Sequence, residues 1–228
     1  LIEQIPITFY IRQLFSNQTE IRTRGDGKSV VYNDNLSQLK MDRTTNIITF
    51  FENKPGDETL LYTNNLTQTF TQMKRLGGWQ LGMSFSSVDL SSNVVEYVRY
   101  VSSYPILSSG REGMTQVKAT TNGIEKLRTS SLIAQTPLPS KNKKVTIVGG
   151  KDIVAELLNE GFSMNEIEDI RIGYSWTTSS ENNQIVEFIP TWYIRMNNRW
   201  KTLSELKNEK KAGDAANKQT GGGDGDGF

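Results

Sequence analysis

Ile7, Tyr10, Ile11 and Leu14 recur every three to four positions, the spacing that gathers apolar side chains on one face of a helix. Pro6 suits the first turn of that helix, where its fixed φ fits and its missing N–H has no bond to lose. Asn17 reads as the stop. Downstream the apolar period falls to two. Strands are expected over 20–24, 29–33, 38–42 and 46–52, with Gly25-Asp26-Gly27 and Asn33-Asp34-Asn35 as turns between them. Lys54-Pro55-Gly56-Asp57 closes this first block as a surface loop.

A second block opens on a helix with Leu66, Phe70, Met73 and Leu76 as its apolar stripe, Asn64 or Asn65 as its cap, and Gly77-Gly78 as its end. Strands follow over 79–84, 94–101, 114–120 and 124–128. Asn122-Gly123 marks a hairpin between the last two, and 103–112 forms a crossing loop around Tyr104-Pro105. The third block repeats the order. Residues 143–148 make an extended lead-in and Gly149-Gly150 precede a helix carrying Ile153, Val154, Leu157 and Leu158, which Gly161 ends. Ile170, Ile172, Tyr174 and Trp176 then alternate along one strand, and Val186, Phe188, Pro190, Trp192, Ile194 and Met196 along its partner. Asn197-Asn198 turns into a short strand at Trp200.

Alternating strands with one apolar face belong to antiparallel sheets covered by helices on that side. The expected fold is therefore α+β: antiparallel sheets each packed by helices on one face, in two small domains or as a duplicated helix-plus-sheet unit. Residues 1–60 read as the remainder of one α+β domain, 61–206 as a C-terminal α+β domain with halves 61–135 and 136–206, and 207–228 as a flexible tail rich in Lys, Glu and finally Gly. The chain opens on apolar Leu1-Ile2 without a Met, which reads as the tail of a strand, with further sequence and any membrane anchor expected upstream.

Composition narrows the chemistry. The 228 residues carry 26 basic and 25 acidic side chains, so no charge excess points to nucleic acid or an anionic membrane surface. With 0 Cys, disulfides, thiolate metal sites and cysteine nucleophiles are excluded; with 0 His, so are histidine bases, Ser-His-Asp triads and histidine metal ligands. No catalytic, cofactor-binding or metal site is read, and the expectation is a protein that is not an enzyme.

Several motifs have ordinary structural explanations. Arg24-Gly25-Asp26 spells an adhesion tripeptide, but a hairpin turn accounts for it. The sequons at Asn17, Asn35 and Asn65 suit caps and turns. Gly149-Gly150 could present backbone N–H groups to an anion, yet lacks the surroundings of a nucleotide loop. Glu166, Glu168 and Asp169 form a solvated strand entry rather than an acid–base pair. Ser108-Ser109 and Ser130-Ser131 lack a Ser-x-x-Lys spacing, and Asp224–Asp226 lacks the rest of a calcium loop. Tyr174, Trp176, Trp192, Tyr193 and Trp200 concentrate aromatic area, as sheet core or as a patch for a protein partner.

Ile170-Arg171-Ile172-Gly173-Tyr174-Ser175-Trp176, then Glu187-Phe188-Ile189-Pro190-Thr191-Trp192-Tyr193-Ile194, then Trp200, resemble the C-terminal signature of the YycH (WalH) family: an "I-x-I-G-Y" strand and a "lePtWyv…W" strand at this separation. Tyr100–Leu107 resembles its "fl-n-gYPvf" segment, except that Ser102-Ser103 stand where the family often has Asn-Gly. Ser29–Asn35 resembles its strand ending "tYnn". The related YycI family shares a Gly-Tyr strand but lacks a counterpart of the first block. The resemblance implies a non-catalytic regulator on the extracellular face of the membrane of a Gram-positive cell, held by one N-terminal membrane helix absent from this chain. Its implied partners are a YycI-like protein and the WalK (YycG, VicK) sensor histidine kinase of the WalK/WalR (YycG/YycF) two-component system, which controls cell-wall metabolism. Tyr104, Pro105, Gly173, Tyr174, Trp176, Pro190, Trp192 and Trp200 are the family-motif residues and thus candidates for partner binding. Two other readings stay open: a generic extracytoplasmic interaction module resembling peptidase regulators, and a cell-wall enzyme built on paired carboxylates.

Overall fold

The computed structural model describes residues 1–53, 62–76, 82–108, 110–134, 145–178 and 185–220. Their elements run β1 Ile2–Gln4, α1 Ile7–Leu14, β2 Arg22–Gly25, β3 Ser29–Asn33, β4 Ser37–Asp42, β5 Ile47–Glu52, α2 Tyr62–Arg75, β6 Met83–Asp89, β7 Val94–Val101, β8 Tyr104–Pro105, β9 Met114–Ala119, β10 Ile124–Ser130, β11 Leu132–Ala134, α3 Gly150–Asn159, β12 Asp169–Thr178, β13 Val186–Met196, β14 Arg199–Thr202 and α4 Leu203–Thr220. Antiparallel sheets with helices on them make the fold α+β, as the patterning implies.

Aspartates set the hairpins. Asp26 Oδ1 accepts from Lys28 N and Ser29 N at 3.1 and 2.7 Å, which uses the carboxylate of the adhesion-like tripeptide inside its own turn. Asp34 does the same with Leu36 N and Ser37 N at 2.8 and 2.6 Å, and Asp42 with Thr44 N and Thr45 N at 2.8 and 3.0 Å. Asp89 holds the β6–β7 turn through Ser91 N at 2.9 Å and Ser91 Oγ at 2.6 Å. A short acceptor two or three residues before free N–H groups is how aspartate starts a turn without a following helix.

Two compact units result, Leu1–Lys141 with Tyr174–Ile189, and Asn142–Gly173 with Pro190–Phe228. In the first, the strands order as β2-β3-β4-β5-β10-β9-β7-β6, with β8 beside β7, while β1 pairs β11 separately. The joint is β5 against β10, antiparallel, with Phe50 opposite Leu127. Residues 1–60 and 61–135 thus contribute to one sheet, and no boundary falls at residue 60 as the sequence reading expected. Tyr10 and Leu14 of α1, Met73 of α2 and Leu76 just after it bury themselves with Leu39, Ile48, Phe50, Val95, Tyr97 and Leu127 in one core.

The second unit packs α3 and α4 on β13. Ile153 and Leu157 meet Ile194 and Leu206, bordered by Ile170, Trp192 and Met196. The strands order as β12-β13-β14. Glu168 N donates to Arg195 O at 2.9 Å and Ser175 Oγ to Ile189 O at 3.2 Å, so β12 and β13 run antiparallel. Gly161, at φ +74, ends α3 in the left-handed conformation its sequence position implied.

Three expectations change. Asn65 does not cap α2; it lies inside the helix at 0% exposure, and its Nδ2 donates to Asn93 O at 2.9 Å, tying the helix to the β6–β7 turn. Phe70 is 37% exposed rather than part of the buried stripe, because α2 is turned so that Thr69, Gln72 and Met73 face the sheet. The stretch from Lys207 is helical as far as Thr220, because Leu206 is buried and lysines bond to the end of α3. Lys207 pairs with Glu156 and Glu160 at 2.5 and 3.0 Å, and Lys210 donates to the Glu160 carbonyl. Cations at a helix C-terminus satisfy its open carbonyls. The Gly77-Gly78 stop, the 79–81 strand start, Ser109 and the Asp224–Asp226 motif lie outside the described residues.

Ser102 sits at φ 54 in the β7–β8 turn, a left-handed conformation that a Cβ disfavours. Ser102→Asn and Ser102→Gly are expected to stabilise the chain by about 0.5–1 kcal/mol, read as a rise of a few degrees in Tm; a lowered Tm for both would show that the serine side chain supports the turn. The Ser91 and Ser92 hydroxyls, ahead of the Ser91 N–H, hold the Asp89 carboxyl down to about 2 from its ordinary 3.8. Because the folded value lies below the unfolded one, the turn's stabilisation is complete above pH 3.8 and disappears as pH falls through about 2. A carbon-13 NMR titration of Asp89 should show its midpoint near that lower value, moving up in Ser91→Ala; a midpoint near 3.8 in the unaltered chain would refute the assignment.

Candidate functional site

The first unit brings several family-motif residues together. β8 follows the Ser102 turn and pairs Tyr104 with Val101 and Pro105 with Tyr100 of β7. Ile106 bridges to Tyr174 in parallel register, and Leu107 N donates to Tyr174 O at 3.1 Å. The Tyr104 and Tyr174 rings therefore meet edge to face, with centroids 5.8 Å apart. Phe188 joins them at 5.9 Å from Tyr174 and 5.7 Å from Trp176, since it stands across from Trp176 on the neighbouring strand. The Tyr104–Tyr174 and Trp176–Phe188 pairs are edge to face and the Tyr174–Phe188 pair is tilted; edge-to-face rings at such distances attract beyond the area they bury. Tyr104 remains 41% exposed, and Tyr174, Trp176 and Phe188 are half-buried. Pro105 is buried in the same strand pair. Phe188 is absent from the motif candidates, although its place in the β13 alternation already put it on the face of Trp192 and Ile194.

The second unit uses its motif residues as structure. Trp200 is 6% exposed, opposite Arg195 in the β13–β14 hairpin. Two guanidinium groups flank its ring, Arg171 at 4.7 Å and Arg195 at 5.8 Å from the centroid. Glu168 accepts from Asn198 N at 2.9 Å and lies 3.0 Å from Arg195 Nε, off the line of that N–H, so the contact is an ion pair rather than a hydrogen bond. Trp192 is half-buried; its Nε1 donates to Val148 O at 2.9 Å and its ring lies against Gly150. Gly173 is buried within β12, and Pro190 is half-buried in β13. The aromatic concentration thus divides into a half-exposed cluster, a buried Trp200 and Tyr193, and a Trp192 wedged against the start of α3.

Among the described residues of this region the carboxylates are engaged in ion pairs and turns rather than paired across a cleft. Glu168 is engaged by Arg195, Asp169 by Arg171, and Glu166 closes a short 3-10 turn. Gly149 N donates to Asp152 Oδ2 at 3.2 Å, so the α3 N-terminus is served by its own aspartate. Ser130 Oγ accepts from Leu132 N at 3.0 Å, and Ser108 Oγ donates to the Glu112 carboxylate. Among the described residues no group of Asp and Glu side chains could hold a metal ion. No described helix is long and apolar enough to cross a membrane.

The family model for the YycH protein C-terminal domain matches residues 1–210. The chain belongs to the YycH family. Its structure is similar to that of YycH from Bacillus subtilis, at a TM-score of 0.66 and 15% identity over 89% of this chain and 49% of that one. At that identity the likeness concerns the fold, and the chain spans about half the length of that YycH protein. No curated protein matches the sequence. Membership of the YycH family agrees with the resemblance carried by the Gly173–Trp176 and Pro190–Trp192 motifs.

Trp192→Ala is expected to cost about 2–3 kcal/mol, less than the 3–5 typical of a fully buried tryptophan, through lost contacts with α3 and Val148. For a chain of this length that lowers Tm by several degrees. An unchanged Tm would move Trp192 from the core to the surface chemistry.

Proposed function

We propose that the chain is the outward-facing part of a non-catalytic regulator that biases a WalK/YycG-type sensor histidine kinase, acting with a YycI-like partner at the membrane surface and so influencing cell-wall metabolism. Membership of the YycH family supports the regulatory reading. The observation that carries the contact surface is the Tyr104–Tyr174–Phe188–Trp176 cluster. Such clusters combine large apolar area with polar tips and few rotamers to freeze, the properties of residues that dominate protein–protein affinity. A regulator of this kind needs no bond-making chemistry. It shifts the kinase between signalling states by contacting one state more favourably than the other. The carboxylates around Glu166–Asp169 serve turns and ion pairs, which removes the support for a carboxylate-based enzyme.

The test is co-purification of the full-length, membrane-anchored protein with the kinase and a YycI-like protein. Combined Tyr104→Ala and Trp176→Ala should reduce recovery of at least one partner about tenfold while the melting temperature of the free protein stays within a few degrees. Arg22→Ala on β2, away from the cluster, serves as a control and should leave recovery unchanged. Undiminished capture by the folded double variant would exclude this cluster as the contact surface. Failure of the unaltered protein to retain either partner would overturn the regulatory reading itself.

A further inference from the structure

A polar cleft of about 200 Å³ opens in the first unit where α1 and α2 end side by side. Arg12, Gln72, Arg75 and Glu52 line it above an apolar floor that includes Phe15 and Phe50. A basic side chain in the last turn of each helix is explained by the helix dipoles. Arg75 fits that explanation, since its Nη2 reaches the Gln13 carbonyl at 3.4 Å. Two features exceed it. The Arg12 guanidinium has no partner among the described residues. Gln72 is only 9% exposed, yet its side-chain amide makes no hydrogen bond to a described residue and lines the cleft. Its amide atoms are not enclosed, so they keep access to the cleft and can both donate to and accept from whatever enters it.

We propose that this cleft binds the carboxylate end of a small acylated amino acid or peptide. Arg12 and Arg75 take the carboxylate, for which the guanidinium fork is the matching donor. Gln72 pairs with the adjoining amide, both offering and accepting as an amide does. Glu52, 6% exposed and bonded to Ser37 Oγ at 3.2 Å, forms an acidic wall that disfavours a second carboxylate and accepts an N–H instead. The volume lies below that of sites for drug-sized ligands, which restricts the occupant to a few heavy atoms beyond the carboxylate.

The probes are N-acetylglycine, acetate and N-acetylglycinamide, titrated into the nitrogen-15-labelled 228-residue chain at constant ionic strength and followed by NMR. N-acetylglycine should give saturable shifts in the Gln72 side-chain amide and in Arg75. Acetate should bind more weakly, and N-acetylglycinamide, which lacks the charge, weakest of all. Arg12→Gln, which breaks no side-chain bond among the described residues, should weaken N-acetylglycine about tenfold. Gln72→Leu should abolish the preference for N-acetylglycine over acetate while acetate binding persists. Backbone spectra of each variant establish that it is folded. Absence of saturable shifts with N-acetylglycine, or equal affinities in the folded Arg12→Gln variant and the unaltered chain, would overturn the proposal.

Discussion

The antiparallel pairing of β5 with β10 is the contact on which the first unit depends. It sets Phe50 opposite Leu127 and Ile48 opposite Thr129, and so joins a meander from the first third of the chain to strands from its middle. Phe50, Leu127 and Ile48 are each no more than 1% exposed. Without that joint, α1 and α2 would each cover a small sheet with an open edge and too little apolar area to offset the entropy of ordering it. With it, both helices lie over one core, and their C-termini converge to form the cleft lined by Arg12 and Arg75.

The half-exposed aromatic cluster follows from a second set of long-range contacts. Tyr104 is presented by a two-residue strand that exists only because Ser102 accepts a left-handed turn. Tyr174 is held by main-chain contact with Ile106 and Leu107. Phe188 stands opposite Trp176 because β12 and β13 are neighbours. Each ring is therefore positioned by backbone bonds rather than by its own packing, which leaves ring area free for a partner. Trp200, from the same signature, is enclosed between two guanidinium groups and stabilises its hairpin. Motif residues close in sequence thus serve different ends according to the neighbours that their place along the strand gives them.

Local order was largely legible. Helix α1, the meander, the hairpin at Asn122-Gly123, the α3 stop at Gly161 and the β12–β13–β14 run follow from apolar period and turn chemistry, which act within a few residues. The turn aspartates Asp42 and Asp89 were legible in principle, since each precedes small polar residues at the second and third following positions. Asn65 misleads because an asparagine near a helix start ordinarily caps it; here a turn 28 residues away supplies its partner. The helix from Leu203 was underestimated because its apolar stripe is thin, and the lysine contacts that hold it come from the end of α3.

Taken alone, the sequence determined the α+β class, the alternation of helices with antiparallel strands, the exclusion of histidine and cysteine chemistry, and a signature sufficient for the YycH family. These properties reside in side-chain type and short-range period, which a linear chain carries in full. The tertiary structure decided that β5 and β10 are neighbours, that Tyr104 lies beside Tyr174, and that Gln72 is withdrawn into a cleft with Arg12. Those relations join residues separated by tens of positions. Any alternating strand can pair with any other as far as its own pattern is concerned; the choice is made by which pairing lets α1 and α2 bury their apolar faces together.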